Sequence, residues 1–304
     1  MEDRLYKFKG LIDAGSYTKA AAQLHVSQPA LSAAMHKLER ELKAELFIRG
    51  KRPLTPTPAG TAAYQAAIQL RQQLSELEAN LDGLAGKKPV LSLGVIDSIA
   101  EVLFVHGNGF SALGTQADLH ISVNNSSYLL AACERNELDG ALIVKPKQTS
   151  SLLQVAVVGR EPLVLVTHPS QAPDIARALQ DGRLPGFLSY NQNSATAELI
   201  HQALARANMS AQAIFHSTSP EILLELTLSG RGCAVLPYLM VRQLIRASTL
   251  QVVRHNGLNV IDRPIVAIER RGKRSHPAFA AAVDQTKRLL SELHAETSPT
   301  TALH

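Results

Sequence analysis

Cysteine is almost missing from this chain of 304 residues: only Cys133 and Cys233 occur, which excludes a disulfide scaffold and predicts a reducing compartment. Long apolar runs are missing too. The stretches that exist, such as residues 90–96, stop far short of the ~18–20 residues a membrane span needs, so no membrane partner is expected. The opening Met1-Glu2-Asp3-Arg4 carries acids and leads into no apolar segment, which predicts no secretory leader and a cytoplasmic location. The eleven histidines show neither an HExxH pattern nor paired Cys/His spacing, and no GxSxG or P-loop signature occurs. No catalytic residue, metal site or cofactor is therefore expected.

What is present is ordinary globular composition, 45% hydrophobic and 19% charged, at a length that suggests two or three domains of ~150 residues or less. The net charge of +5 is unevenly spread. Residues 1–60 hold ten bases against six acids, so nearly all the excess sits in this segment. A basic N-terminal module on a near-neutral body predicts a polyanionic partner.

Leu5, Phe8 and Ile12 fall at i, i+3 and i+7 and predict a first helix, ended by Gly15-Ser16. Thr18 is expected to cap a second helix through Ala20, Ala21 and Leu24. After a short turn at His25-Val26, Ser27 caps a third helix with Pro29 in its first turn, where a missing N–H costs little. Leu31, Met35, Leu38 and Leu42 form its apolar stripe; Gln28, Ser32 and His36 lie opposite at i, i+4 and i+8. Two short helices joined by a tight turn, the second polar outside, read as a helix-turn-helix. A helix fits the major groove of B-DNA, where Gln can bond bidentately to adenine and Ser can donate or accept. Closely spaced prolines exclude a helix over residues 50–58, and Lys51-Arg52 there are placed like a wing beside the groove. One long helix follows from Ala59. Its apolar positions Ala63, Ala67, Leu70, Leu74, Leu77, Leu81 and Leu84 keep a 3.5-residue period, the seam of a dimerising coiled coil.

From Val90 onward, strand-like runs (90–96, 119–123, 140–144, 163–167, 213–215, 233–236, 265–268) alternate with helical patterns (98–106, 127–137, 194–207, 220–229, 276–293). That alternation predicts an α/β domain with mostly parallel strands, and its length predicts two lobes with a cleft between them. Helix starts attract anions, and Ser98, Ser127, Asn193-Ser194 and Ser219-Pro220-Glu221 all occupy such starts. Each serine could equally cap only its own helix. Both cysteines read as core thiols.

The segment Gly15-Ser16-Tyr17-Thr18-Lys19-Ala20-Ala21, followed by Leu24-His25-Val26-Ser27-Gln28-Pro29-Ala30-Leu31-Ser32, resembles the LysR-type transcriptional regulators. So do Lys37-Leu38-Glu39, Leu46-Phe47 with Arg49, and Thr57-Pro58-Ala59-Gly60, and, less strongly, residues 138–143 and 230–237. The resemblance implies a winged helix-turn-helix over 1–58, a linker dimerisation helix over 59–88 and an effector-binding domain over 89–304. That domain would hold two α/β lobes (about 89–161 with 265–296, and 162–264) like a type 2 periplasmic binding protein. It implies DNA contacts from Thr18, Ser27, Gln28, Pro29, Ser32, His36, Lys37, Arg49, Lys51 and Arg52, and a dimer seam at Leu70, Leu74, Leu77 and Leu81. It also implies an effector held between the lobes by Asp97, Ser98, Asn193, Ser194 and Thr218. The expected partners are double-stranded operator DNA, a small effector, with a carboxylate foremost, and further copies of the chain as homodimer and homotetramer. Two departures stand out. Ala33 occupies a position where the family commonly carries Arg, leaving His36 and Lys37 as the next basic groups, and the wing has an unusual proline run. Asp97 would repel a purely anionic ligand unless it meets a hydroxyl or an ammonium. The competing reading is an enzyme or binding protein on the same two-lobed fold that carries an N-terminal helical module.

Overall fold

The computed structural model describes residues 1–48, 54–84, 88–105, 109–192, 194–255, 258, 261–272 and 275–297. Helix α1 (Glu2–Ala14) buries Phe8 and Leu11 and stops where Gly15 turns left-handed, φ 68°. Ser16, not Thr18, caps α2 (Tyr17–Gln23): its hydroxyl accepts from the Lys19 amide at 3.3 Å. Thr18 already lies inside the first turn of that helix, so it cannot act as the cap. Ser27 caps α3 (Gln28–Leu42) by accepting from the Ala30 amide at 3.3 Å, and the stripe Leu31, Met35 and Leu38 is buried. Arg4 of α1 grips Glu41 of α3 at 2.6 Å, and its hydrogen bonding holds that carboxyl below the usual range.

The turn into α4 (Pro58–Leu84) shows why Thr57-Pro58-Ala59-Gly60 are the residues used. The Thr57 hydroxyl donates to the Glu45 carbonyl at 2.6 Å and accepts from the Gly60 amide at 3.0 Å. Pro58 opens the helix where no N–H is needed. A Cβ on Gly60 would sit 2.1 Å from the Leu46 carbonyl oxygen, so only glycine lets the helix approach. The seam expected along α4 is divided. Ala63 belongs to the helix-turn-helix core, and Ala67 is buried within the same Met1–Lys87 unit together with Ile68. Leu70 and Leu74 are half-buried and line a cavity of about 440 Å³ with Leu5 and Tyr6 of α1. Leu77 and Leu81 are large apolar side chains left 54% and 56% exposed.

The second unit, Lys88–His304, is a mixed α/β fold. Its elements are β1 (Val90–Val95), α5 (Asp97–Ala100) with a π-helical turn after it, α6 (Gly109–Gly114), β2 (Asp118–Val123), α7 (Ser126–Glu134) and β3 (Gly140–Val144). Next come β4 (Leu153–Thr167), α8 (Ala172–Gln180), β5 (Arg183–Tyr190), α9 (Ala195–Arg206), β6 (Ser210–Ser217) and α10 (Pro220–Leu228). The last are β7 (Cys233–Pro237), α11 (Tyr238–Arg246), β8 (Gln251–Val252), β9 (Ile261–Arg270) and α12 (Pro277–Thr297). Strand order is β2-β1-β3-β9-β4-β7-β5-β6, with β8 also on β4.

The flanks β2-β1-β3 and β7-β5-β6 are parallel, as expected, but the centre is antiparallel, because β4 and β9 run through it in opposite directions. These two strands are shared by two hydrophobic cores. Val158 and residues 265–268 belong to one core; Leu163, Leu165 and Ile261 belong to the other. The run expected at 163–167 is only the end of β4: its first half, residues 153–158, is apolar as well, and Gly159-Arg160-Glu161-Pro162 divides the two stretches in sequence. β5 escapes sequence reading because Pro185 and Gly186 interrupt it. Both cysteines are buried, and burial pushes the Cys233 thiol up to about 12, which leaves it a poor nucleophile. Among the described residues, no helix is long and apolar enough to cross a membrane.

Candidate functional site

Where the two cores of the second unit meet, a cavity of about 320 Å³ opens. Asp97, Ser98, Ser194 and Thr218, expected from the sequence, all line it; Asn193, also expected, lies outside the described residues. Ser127, read from the sequence as a helix-start serine, lines it as well, and the structure adds Ser126, Tyr190, Thr196 and Arg263.

The floor is built by a pair of charges. Glu161 of β4 and Arg263 of β9 are register partners, so their side chains emerge side by side. Arg263 Nε donates to Glu161 Oε2 at 2.7 Å, Nη2 to the Ser98 hydroxyl at 2.7 Å and Nη1 to the Thr196 hydroxyl at 3.1 Å. Ser98 in turn donates to Glu161 Oε2 at 3.2 Å. Glu161 is 0% and Arg263 5% exposed, so neither charge is tolerable alone. Ser98 packs with the first core and Thr196 sits in α9 over the second. One guanidinium therefore fastens both sides of the cleft to the strands that join them. By contrast, Lys147 meets Glu198 of α9 at 2.7 Å in an exposed pair worth at most ~1 kcal/mol.

The helix starts differ from expectation in two places. Ser98 caps nothing: α5 begins after Ile96 without a side-chain cap, and Ser98 lies inside the helix with its hydroxyl committed to Glu161 and Arg263. At α7 the cap is Asn125, which accepts from the Tyr128 amide at 2.9 Å, and Ser127 is two positions too late for that role. Ser194 does cap α9, accepting from the Thr196 and Ala197 amides at 3.2 and 3.4 Å. Ser219 caps α10 and donates to its own Glu221 at 2.6 Å. Burial, and then the charge of Glu221, push the half-buried Asp97 carboxyl above its usual range. The Tyr190 hydroxyl and Glu161 Oε1 are buried with no hydrogen-bond partner among the described residues. Sequence reasoning missed Glu161, Tyr190, Thr196 and Arg263. A signal existed: Arg160-Glu161-Pro162 and Asp262-Arg263-Pro264 place opposite charges inside runs that otherwise read as core strands.

In the first unit, Gln28, Pro29, His36 and Lys37 of α3 are exposed and Ser32 is half-buried. The Thr18 hydroxyl donates to Gln28 Oε1 at 3.4 Å, which biases the amide's orientation. Ser27 is exposed at the start of α3 but its oxygen is occupied as the cap. His36 lies 3.7 Å from Glu39 Oε2, whose other oxygen accepts from the Leu46 amide at 2.8 Å. Arg49, Lys51 and Arg52 lie outside the described residues.

A family model described as "Bacterial regulatory helix-turn-helix protein, lysR family" matches residues 3–61, and one described as "LysR substrate binding domain" matches residues 85–291. The chain is 25% identical over 285 residues to a RuBisCO operon transcriptional regulator of Allochromatium vinosum, covering 91% of this chain and 92% of that one. ArgP from Mycobacterium tuberculosis superposes with a TM-score of 0.63 at 19% identity, over 97% of each chain. Full-length LysG from Corynebacterium glutamicum, solved with bound effector Arg, gives 0.60 at 18% identity over 95% of this chain and 98% of that one.

The floor pair makes an asymmetric prediction. Arg263→Met strands the Glu161 charge and is expected to cost about 3–5 kcal/mol of stability, whereas Arg263→Met with Glu161→Leu recovers most of it. Urea midpoints of the two variants check this. Equal losses would mean that the pair's charge is not what the cleft floor depends on.

Proposed function

The chain belongs to the LysR family of bacterial transcriptional regulators, and from that premise we propose how its surfaces divide the work. Residues 1–58 bind operator DNA as a winged helix-turn-helix, residues 59–88 dimerise, and residues 89–304 hold a small effector in the cleft. The role is binding, not catalysis, and it is exercised in the cytoplasm, where the operator is. Gln28 and Ser32 read base edges, with Pro29 and Thr18 fixing the start of α3 and its amide. The Ser27 amide, His36, Lys37, Arg49, Lys51 and Arg52 serve the phosphates. With Ala33 in place of an arginine, more of the phosphate contact falls to His36 and Lys37.

The observation that carries the effector reading is the floor of the cleft, where one guanidinium is hydrogen-bonded to hydroxyls from both sides. Anything seated on that floor meets both sides at once. Its affinity then depends on how open the cleft is, which is the condition for a ligand to shift an equilibrium. A tenfold difference in affinity is about 1.4 kcal/mol, within reach of one charge-assisted hydrogen bond at roughly 1.5–3 kcal/mol. Ser194 and Thr218 offer hydroxyls to such a ligand, whose carboxylate is suited to the free amides of a helix start. LysG, with the same fold and a bound effector, is the precedent for a ligand-holding second unit.

Leu77 and Leu81, with the half-buried Leu70 and Leu74, present the seam to a second copy. Exposed Ile214, Phe215 and Ile222 offer the second unit a further contact, through which two dimers make a homotetramer.

Two measurements test these assignments. Gln28→Ala and Ser32→Ala should each lose roughly 1–3 kcal/mol of affinity for the promoter region beside the protein's own gene and little for random DNA. Lys37→Ala should weaken both alike and lower the salt slope by about one. Operator binding unchanged in the Gln28 and Ser32 variants would mean that α3 is not the reading element. Leu77→Asp with Leu81→Asp places charges in the seam, so analytical ultracentrifugation should show a smaller assembly and operator binding should fall. A double variant that sediments as wild type would remove α4 from the interface.

A further inference from the structure

The cleft's charges say more about the ligand than its shape does. Among the described residues lining it, Asp97 is the one carboxylate and Arg263 the one cation. Arg263 is the obvious anchor for an anion, but it is already used. Glu161 cancels its charge at 2.7 Å, and its other two nitrogens donate to Ser98 and Thr196. What the cleft presents beyond that neutral pair is Asp97, with Glu221 close enough to act on it. That side is negative.

The three longer helices that begin at the cleft are not equivalent. Helix α10 carries Glu221 in its first turn, held by the Ser219 hydroxyl at 2.6 Å, so its positive end is taken by its own carboxylate. Helix α9 carries Glu198 in its first turn, where it meets Lys147. Helix α7 has no acid in its first turn and brings Ser126 and Ser127 to the cleft. An anionic group is therefore favoured at α7 and opposed near α10 and Asp97. An independent sign of a ligand site lies at the wall: the Tyr190 hydroxyl, in a residue 5% exposed, has no hydrogen-bond partner among the described residues and lies in the field of Arg263 and of three carboxylates, Glu161, Glu221 and Asp97, which outnumber that cation. A hydroxyl so placed is satisfied by a donor-rich cation shared with the carboxylates. The cavity of about 320 Å³ is at the small end for ligand sites, which limits the ligand to a compact metabolite.

We propose that the cleft is built for a small zwitterion, an α-amino acid or a similar amino-carboxylate. Its ammonium lies against Asp97 and the Tyr190 hydroxyl, on the side of Glu221, and its carboxylate lies at the start of α7. This rests on the reading of the cleft as the effector site and specifies its ligand class: compact dicarboxylates are rejected.

The full-length protein tests it by thermal shift and calorimetry against the genetically encoded L-amino acids, with succinate, malate and glutarate as dianions of similar size. At least one amino acid should raise the melting temperature, and no dicarboxylate should. The N-acetyl derivative and the carboxamide of that amino acid should each bind at least about tenfold more weakly, since each loses one charge-assisted contact. Asp97→Asn should weaken the amino acid by a similar factor and leave the N-acetyl derivative's affinity unchanged. Stabilisation by a dicarboxylate that Thr218→Val abolishes would overturn the zwitterion and leave the cleft reading standing. Amino-acid binding that survives both Asp97→Asn and Thr218→Val would place the ligand elsewhere and remove both readings. No shift with any amino acid would overturn the proposal.

Discussion

The second unit depends on one buried contact, the Arg263–Glu161 pair at 2.7 Å. Taking two charges out of water costs several kcal/mol per ion, and the return is adequate only when geometry and further hydrogen bonds are good. Here the return comes from Ser98 on one side and Thr196 on the other, so the pair is tolerable only while both sides of the cleft are in place. This makes the register of β4 against β9 consequential. A slip of one residue between the strands would put the two charges on opposite faces of the sheet. The antiparallel centre follows as well, because both strands must traverse the sheet between the two cores. Among the described residues, Glu161 Oε1 and the Tyr190 hydroxyl have no partner beside this pair, which concentrates unspent polar capacity at the cavity where the two cores meet.

The first unit is assembled on the opposite principle, from short-range rules. Ser16, Ser27 and Thr57 each satisfy the amides of the helix that follows, and Arg4 to Glu41 ties the first helix to the third. The apolar side of α3 is spent on the core, which leaves its polar side outward and pre-set by Thr18. The long helix has two parts. Its first turns complete this core and the later leucines stay exposed, so core stability and the proposed dimerisation are separable along a single element.

That contrast explains what could be read from the sequence. The helix-turn-helix, the caps at Ser27, Ser194 and Ser219 and the strand–helix alternation all rest on neighbours within a few residues, and periodicity and capping chemistry expose them. Arg263 was not legible, because its partners are 102, 67 and 165 residues away in sequence. The same distance effect moved Ser98 from an expected cap to a member of the charged floor. The heptad pattern was read from Ala63 onward as one seam, since a 3.5-residue period does not say whether its partner is another chain or the chain's own first helices. β5 carries the cleft's Tyr190 behind a Pro-Gly interruption, so the strand and its functional side chain were missed together.

The central claim is that a single guanidinium holds both sides of the cleft. Arg263→Lys tests it most directly, because an ammonium keeps the charge but cannot reproduce the fork that reaches Glu161, Ser98 and Thr196 together. Amide hydrogen exchange on the full-length protein should show faster exchange in the Asp97–Ala100 helix and in the first turn of α9 at the same time, with α3 unchanged. Loosening confined to β9, with α5 and α9 as protected as in wild type, would contradict the account.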